Sequence, residues 1–202
     1  HWDFDRTMES TDGRDNNPYS WLRSGMNADY FKWGWLDRLF QDVDFWQQWI
    51  DRWFELREGT FSTPNVNATI NSISDSIGDV AAARNFAKWG GGPRNGGEWE
   101  TLPDVFNGEW SGEVQYLAAW LEARSSWFDE QFLARPTYNE DGGLIPVWSE
   151  LVITGPAGAT VYYTLDGTDP RAPGGAPSAA ALEYTGPVLL SSNVTVVSRA
   201  YD

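Results

Sequence analysis

The chain has 202 residues, a net charge of -15 and a pI near 4.3, with 15% aromatic residues including thirteen Trp, ten Phe and eight Tyr. It is long enough for one large domain or two small ones with a real core, while its acidity argues against a nucleic-acid backbone or an anionic membrane as partner. With no Cys it excludes disulfides and thiolate metal sites, and no run approaches the roughly 18 apolar residues of a membrane span.

"HWDFDRTMES" places Asp3 and Asp5 at i, i+2 between aromatic residues. In an extended segment such carboxylates point to one side and suit a hard divalent cation. A solvated acidic turn is the plainer reading in so acidic a chain. These first residues lack the basic and apolar regions of a signal peptide, so the expectation is a fragment or processed product, with any targeting segment upstream of His1. His1 is the only histidine, so a two-histidine copper site and a histidine-activated serine are both excluded.

Composition changes near residue 136, from Trp-rich with helical period to Gly, Pro, Thr and Val with short alternating runs. In the first part, "DVDFWQQWIDRWFELRE" sets Trp46, Trp49, Ile50, Trp53 and Phe54 on one helical face. That spacing predicts core rather than a sugar-stacking platform. A second long helix follows over "STPNVNATINSISDSIGDVAAARNFAKWG", with Val66, Ile70, Ile73, Ile77 and Val80 as its stripe. It starts at Ser62 or Thr63 before Pro64, breaks near Gly78 and stops at Gly90. Gly and Pro between Gly90 and Pro103 make a loop. The third helix carries Val114, Leu117, Leu121, Arg124 and Phe128 on one stripe, capped by Ser111.

Trp33, Trp35, Trp99 and Trp110 lie in weaker patterns beside Gly and are the candidates for glycan contact, with loop-anchoring burial as the alternative. Arg84 and Asn85, and Arg52 with Asp51, read as buried ion pairs tying helices together. Glu98 with Glu100 and Glu109 with Glu113 are paired carboxylates of the kind a glycoside hydrolase uses, but nothing separates them from surface acid.

Residues 137–146 read as a linker. Beyond them "TVYYTLDGTDP" alternates Val161, Tyr163 and Leu165 against Tyr162 and Thr164, then turns at Asp166-Gly167 and Asp169-Pro170. Val194, Val196, Ser198 and Ala200 alternate in the last strand. Asp166 and Asp169 loosely echo a calcium loop, although turn chemistry accounts for them more simply. Residues 147–202 are therefore expected to form a small antiparallel sandwich, its last strand running into the chain end.

Taken in order, "WDFDRTMES", "DRLFQDVDFWQQWIDRWFELREG", "AAARNFAKWG" and "EVQYLAAWLEARSSWFDEQF" resemble the C-terminal part of the spore coat protein H-like (CotH) kinase family. "GATVYYTLDGTDPR", "YTGPVLL" and "TVVSRAYD" resemble the chitobiase/β-hexosaminidase C-terminal-type immunoglobulin-like domain. The resemblance implies a mainly α region at 1–136, a kinase-like C-lobe remnant, joined to a small all-β immunoglobulin-like sandwich, α+β overall. It implies an exported bacterial protein, extracellular or at the cell surface, that phosphorylates protein Ser with ATP and Mg. Asp3, and secondarily Asp5, match the metal-holding carboxylate of the family pattern. The phosphate-covering loop, nucleotide-contacting lysine and catalytic base of the family precede this motif and are not found here. The chain alone is accordingly expected to be inert and to hold no cofactor. The other readings are a cell-surface glycan-binding module and a carboxylate-dependent glycoside hydrolase.

Overall fold

The structure is a computed structural model that describes residues 17–21, 30–32, 34–89 and 109–202. It divides into two compact units, His1–Asp129 and Glu130–Asp202. The first is helical and the second is built of small antiparallel sheets, giving an α+β chain.

In the helical unit a 3-10 turn at Tyr30–Lys32 leads to α1 (Trp35–Phe40). Next comes α2 (Val43–Glu58), which starts where the Asp42 carboxylate accepts the amides of Asp44 and Phe45 at 2.8 and 3.1 Å. This cap satisfies two of the donors that a helix start leaves unpaired. α2 stops at Gly59. The Trp stripe read from the sequence is half-buried and meets other rings mostly edge-on. Phe31, Phe40 and Trp46 lie within 5.3 Å of one another, and Trp46 stacks on Trp49 at 5.6 Å. Such edge-to-face pairs add to area burial because the positive ring edge meets the negative face.

Helix α3 (Thr63–Trp89) begins after Ser62, whose carbonyl accepts the Val66 amide, and is broken at Gly78 (φ 71°, ψ 154°). The break falls where the sequence indicates it, because Gly alone adopts this backbone cheaply. The break divides the stripe of this helix: Val66 and Ile70 are half-buried, whereas Ile73, Ile77 and Val80 are exposed.

Helix α4 (Trp110–Glu130) begins one residue before Ser111, the expected cap. Its most buried line is Gly112, Tyr116 and Trp120. The expected stripe through Leu117 and Leu121 is half-buried and lies one residue, about 100°, further round. The buried face is broad, and its deepest positions are a Gly, a Tyr and a Trp.

The second unit contains β1 (Thr137–Tyr138), β2 (Ser149–Leu151), β3 (Ile153–Thr154), β4 (Thr160–Thr164), β5 (Leu182–Glu183), β6 (Val188–Leu190) and β7 (Val197–Tyr201). The strands form the sheets β1-β3, β2-β6 and β5-β4-β7. Residues 137–146 include β1, whose Thr137 and Tyr138 pair with Thr154 and Ile153. β4 and β7 pair from Thr160↔Tyr201 to Thr164↔Val197. Leu151, Ile153, Val161, Tyr163 and Leu190 form the core, with Leu165, Val194 and Val196 packed against it. Thr164 alternates away from these residues yet is buried as well, because its hydroxyl donates to the Thr168 carbonyl and the following turn closes over it.

Candidate functional site

The helical unit is held together by two cationic side chains. On α2, Arg57 donates from Nε and Nη2 to both Asp129 oxygens at 2.9–3.2 Å, and Trp53 Nε1 donates to Asp129 Oδ1 at 2.9 Å. α4 is thereby tied to α2 through one carboxylate. Arg124 of α4 donates to the carbonyls of Pro18 and Ser20, and its guanidinium lies 4.6–5.8 Å from the ring centroids of Trp21, Trp127 and Phe128. A planar, weakly hydrated cation can serve rings and carbonyls at once. Sequence reasoning put Arg124 on the apolar stripe without assigning it a partner. A charge recurring at core spacing was the available signal. Neither Arg57 nor Asp129 had a signal of this kind.

The residues expected to make buried ion pairs do not do so. Arg52 is exposed and pairs with Glu55 at 2.7 Å on the same helix, while Asp51 accepts from Gln47. Arg84 and Asn85 are both exposed on α3. Arg52, Arg84 and Asn85 sit where their helices face water, so burial does not force them to pair across helices.

Asp3, Asp5, His1, Trp33, Trp99, Glu98 and Glu100 lie outside the described residues. Trp35 opens α1 with 74% of its surface exposed. Trp110 opens α4, half-buried, and its indole N–H donates to Ser74 Oγ of α3 at 2.8 Å. Glu109 and Glu113 bracket the same helix start, where the Glu113 amide donates to the Glu109 carbonyl.

Beside Trp35 in sequence, a recess of about 250 Å³ is walled by Phe31, Phe40, Val43 and Trp46, with Lys32, Asp37 and Gln41 at its polar side. Gln41 Nε2 donates to Asp37 Oδ2 at 3.0 Å, one helical turn apart. This mainly apolar lining accommodates a side chain or small ring. Among the described residues no group of three or more His, Asp or Glu could hold a metal ion.

Asp166 and Asp169 act as turn residues. The Asp166 carboxylate accepts from the Thr168 hydroxyl and amide at 2.6 and 3.0 Å, and these bonds hold its pKa below the ordinary value. Asp169 accepts the Arg171 amide and Arg199 Nε and Nη2 at 2.6–2.9 Å. Burial pushes the Asp169 carboxyl up, but the Arg199 and Arg171 hydrogen bonds and charges outweigh it and hold it low. Between them Gly167 (φ 80°) fits where a Cβ would come within 3.2 Å of Thr195 Cγ2. The same carboxylates that suggested calcium are thus spent on backbone amides and an arginine.

Comparison with known families assigns most of the chain. The family model described as CotH kinase protein matches residues 1–128, and the one described as Fn3 associated matches residues 151–202. No curated protein and no solved structure gives a significant match.

Proposed function

The chain belongs to the CotH kinase protein family, and from that premise we propose that the intact protein is an exported kinase transferring the γ-phosphoryl group of ATP to protein serine. The supporting observation is the family match over residues 1–128, which takes in Trp2-Asp3-Phe4-Asp5. In this reading the serine Oγ forms the new bond to phosphorus as the bond to the ADP oxygen breaks. Little covalent chemistry falls to the protein, whose task is to position the reactants and to stabilise charge.

Asp3 is the proposed metal ligand and Asp5 the second choice. Their donor set fits Mg or Mn, since carboxylate oxygens are hard ligands and such ions keep water and phosphate in the remaining positions. Bound there, the ion would neutralise charge on the nucleotide phosphates. The nucleotide-contacting lysine, phosphate-covering loop and catalytic base are assigned to sequence outside these 202 residues. The β unit is proposed to be an immunoglobulin-like module that accompanies the kinase region at the cell surface.

The test is phosphoryl transfer from labelled ATP to a serine-containing protein by the full reading frame, with Mg present. Asp3→Asn is expected to lower transfer by about 100-fold, the scale of losing one electrostatic contact to the transition state, and Asp5→Asn by less. The 202-residue chain alone is expected to transfer nothing. Full activity in Asp3→Asn, or a tight protein-ligated ion in the isolated chain, would refute the assignment.

A further inference from the structure

Trp148 is the one non-glycine residue with positive φ among the described residues, at 70°. It is the third residue of a turn closed by the Ser149 amide donating to the Pro146 carbonyl at 3.2 Å. Positive φ at that position is the type II geometry, which favours Gly because a Cβ crowds the neighbouring carbonyl. The turn is nevertheless fixed: Ser149 Oγ also donates to the Pro146 carbonyl at 2.7 Å, and the Trp148 amide donates to the Leu190 carbonyl at 2.8 Å.

The strain is not offset by burial of the side chain. Trp148 is 62% exposed, next to Val147 at 67%, while Leu189 at 53% lies opposite Glu150 across the β2-β6 ladder. Nothing among the described residues pairs with its indole N–H. A bulky residue held in a backbone suited to Gly, with its ring in water, is displayed for something outside the unit. We propose that Trp148 is the stacking residue of a surface on the β unit that binds a neutral β-1,4-linked polysaccharide.

The exposed ring and the charge around it select this occupant. One pyranose face needs only one ring, because its polarised C–H bonds meet the negative face of the indole. Exposed Glu140, Asp141 and Glu150 surround the turn in sequence, and the chain carries -15, so a polyanion is repelled. β-1,4-linked pyranoses with equatorial substituents present flat C–H faces, and their hydroxyls can accept from the free indole N–H. Because the turn is already fixed, little ordering is needed on contact.

The experiment is depletion of the 202-residue chain by insoluble cellulose and chitin without nucleotide, comparing wild type, Trp148→Gly and Trp35→Ala, with thermal melting of each. Retention of wild type and Trp35→Ala on at least one polymer is expected. Trp148→Gly should lose at least about tenfold in retention while its Tm holds or rises, since Gly relieves the turn. Failure of wild type to bind either polymer overturns the proposal, as does equal retention by Trp148→Gly. Loss in Trp35→Ala instead, or a lowered Tm in Trp148→Gly, overturns it by moving the site or making the indole structural. Self-association that Trp148→Gly abolishes assigns the turn to a second copy and overturns it too. Kinase activity of the intact protein does not enter any of these outcomes.

Discussion

Asp129→Ala removes a carboxylate that ties α4 to α2, and its effect can be worked out from its partners. Arg57 and Asp129 are 17% and 33% exposed, between a surface pair worth at most about 1 kcal/mol and a buried pair whose breakage costs about 3–5 kcal/mol. Screening at the partly exposed carboxylate brings the ion pair to about 2 kcal/mol. The indole N–H of Trp53, 2.9 Å from Asp129 Oδ1, loses its acceptor and adds about 1 kcal/mol. A total near 3 kcal/mol lowers the melting point of the helical unit by about 10 °C. Asp129→Asn keeps an acceptor without the charge and is expected to cost about half as much. Urea unfolding followed by Trp fluorescence isolates this unit, since every Trp except Trp148 lies within residues 1–129. A double-mutant cycle with Arg57→Met is expected to show coupling above about 1 kcal/mol. A loss under about 0.5 kcal/mol for Asp129→Ala, or no coupling, would refute the argument that this contact braces the unit.

Arg124→Met keeps the apolar stem but leaves the Pro18 and Ser20 carbonyls without their guanidinium donor, and is expected to cost about 2 kcal/mol. Arg124→Lys recovers little because an ammonium lacks the planar fork; hydrogen exchange at residues 17–21 reads the effect, and full rescue by Lys would contradict it. In the β unit, Asp169 is held below its ordinary 3.8 by Arg199 and Arg171 despite the opposing effect of burial. A folded-state value below the unfolded one gives stability that is present above the unfolded value and lost as pH falls through the folded one. The β4 and β7 amides are therefore expected to lose exchange protection below about pH 4, and Asp169→Asn to flatten that dependence. An acid limb unchanged by the substitution would show that another carboxylate sets it.

The three long helices were legible because their determinants are local, whereas the short α1 was not expected. Ser62-Thr63-Pro64 and Gly78 within a stripe each act over one or two turns, so a single sequence carries the information. The alternation of Val161 and Tyr163 likewise fixed which side of β4 enters the core. Pairings over long separations were not legible. Asp129 meets Arg57 across 72 positions, and Asp169 meets Arg199 across 30. In so acidic a chain any Arg has many possible partners. The local sequence thus led to the wrong pairs at Arg52 and Arg84, where charge pattern alone cannot tell a solvated helix face from a buried one.

The same division explains the uneven visibility of the candidate sites. Asp3 and Asp5 attract attention by residue type and by their place in an ordered series of family motifs. Trp148 has no motif: in sequence it is one Trp after Pro146 and Val147, and it reads as the start of a strand. Only the backbone shows the conflict between a large ring and a positive φ, and only the exposure shows that the fold gains nothing from it. Local consistency is the rule in folded chains, so a residue that breaks it without a structural return marks a place where selection acts on something other than stability. Gly167 makes the contrast. It adopts the same backbone region at 80° with the residue type that region favours, close against Thr195, and the fold alone accounts for it.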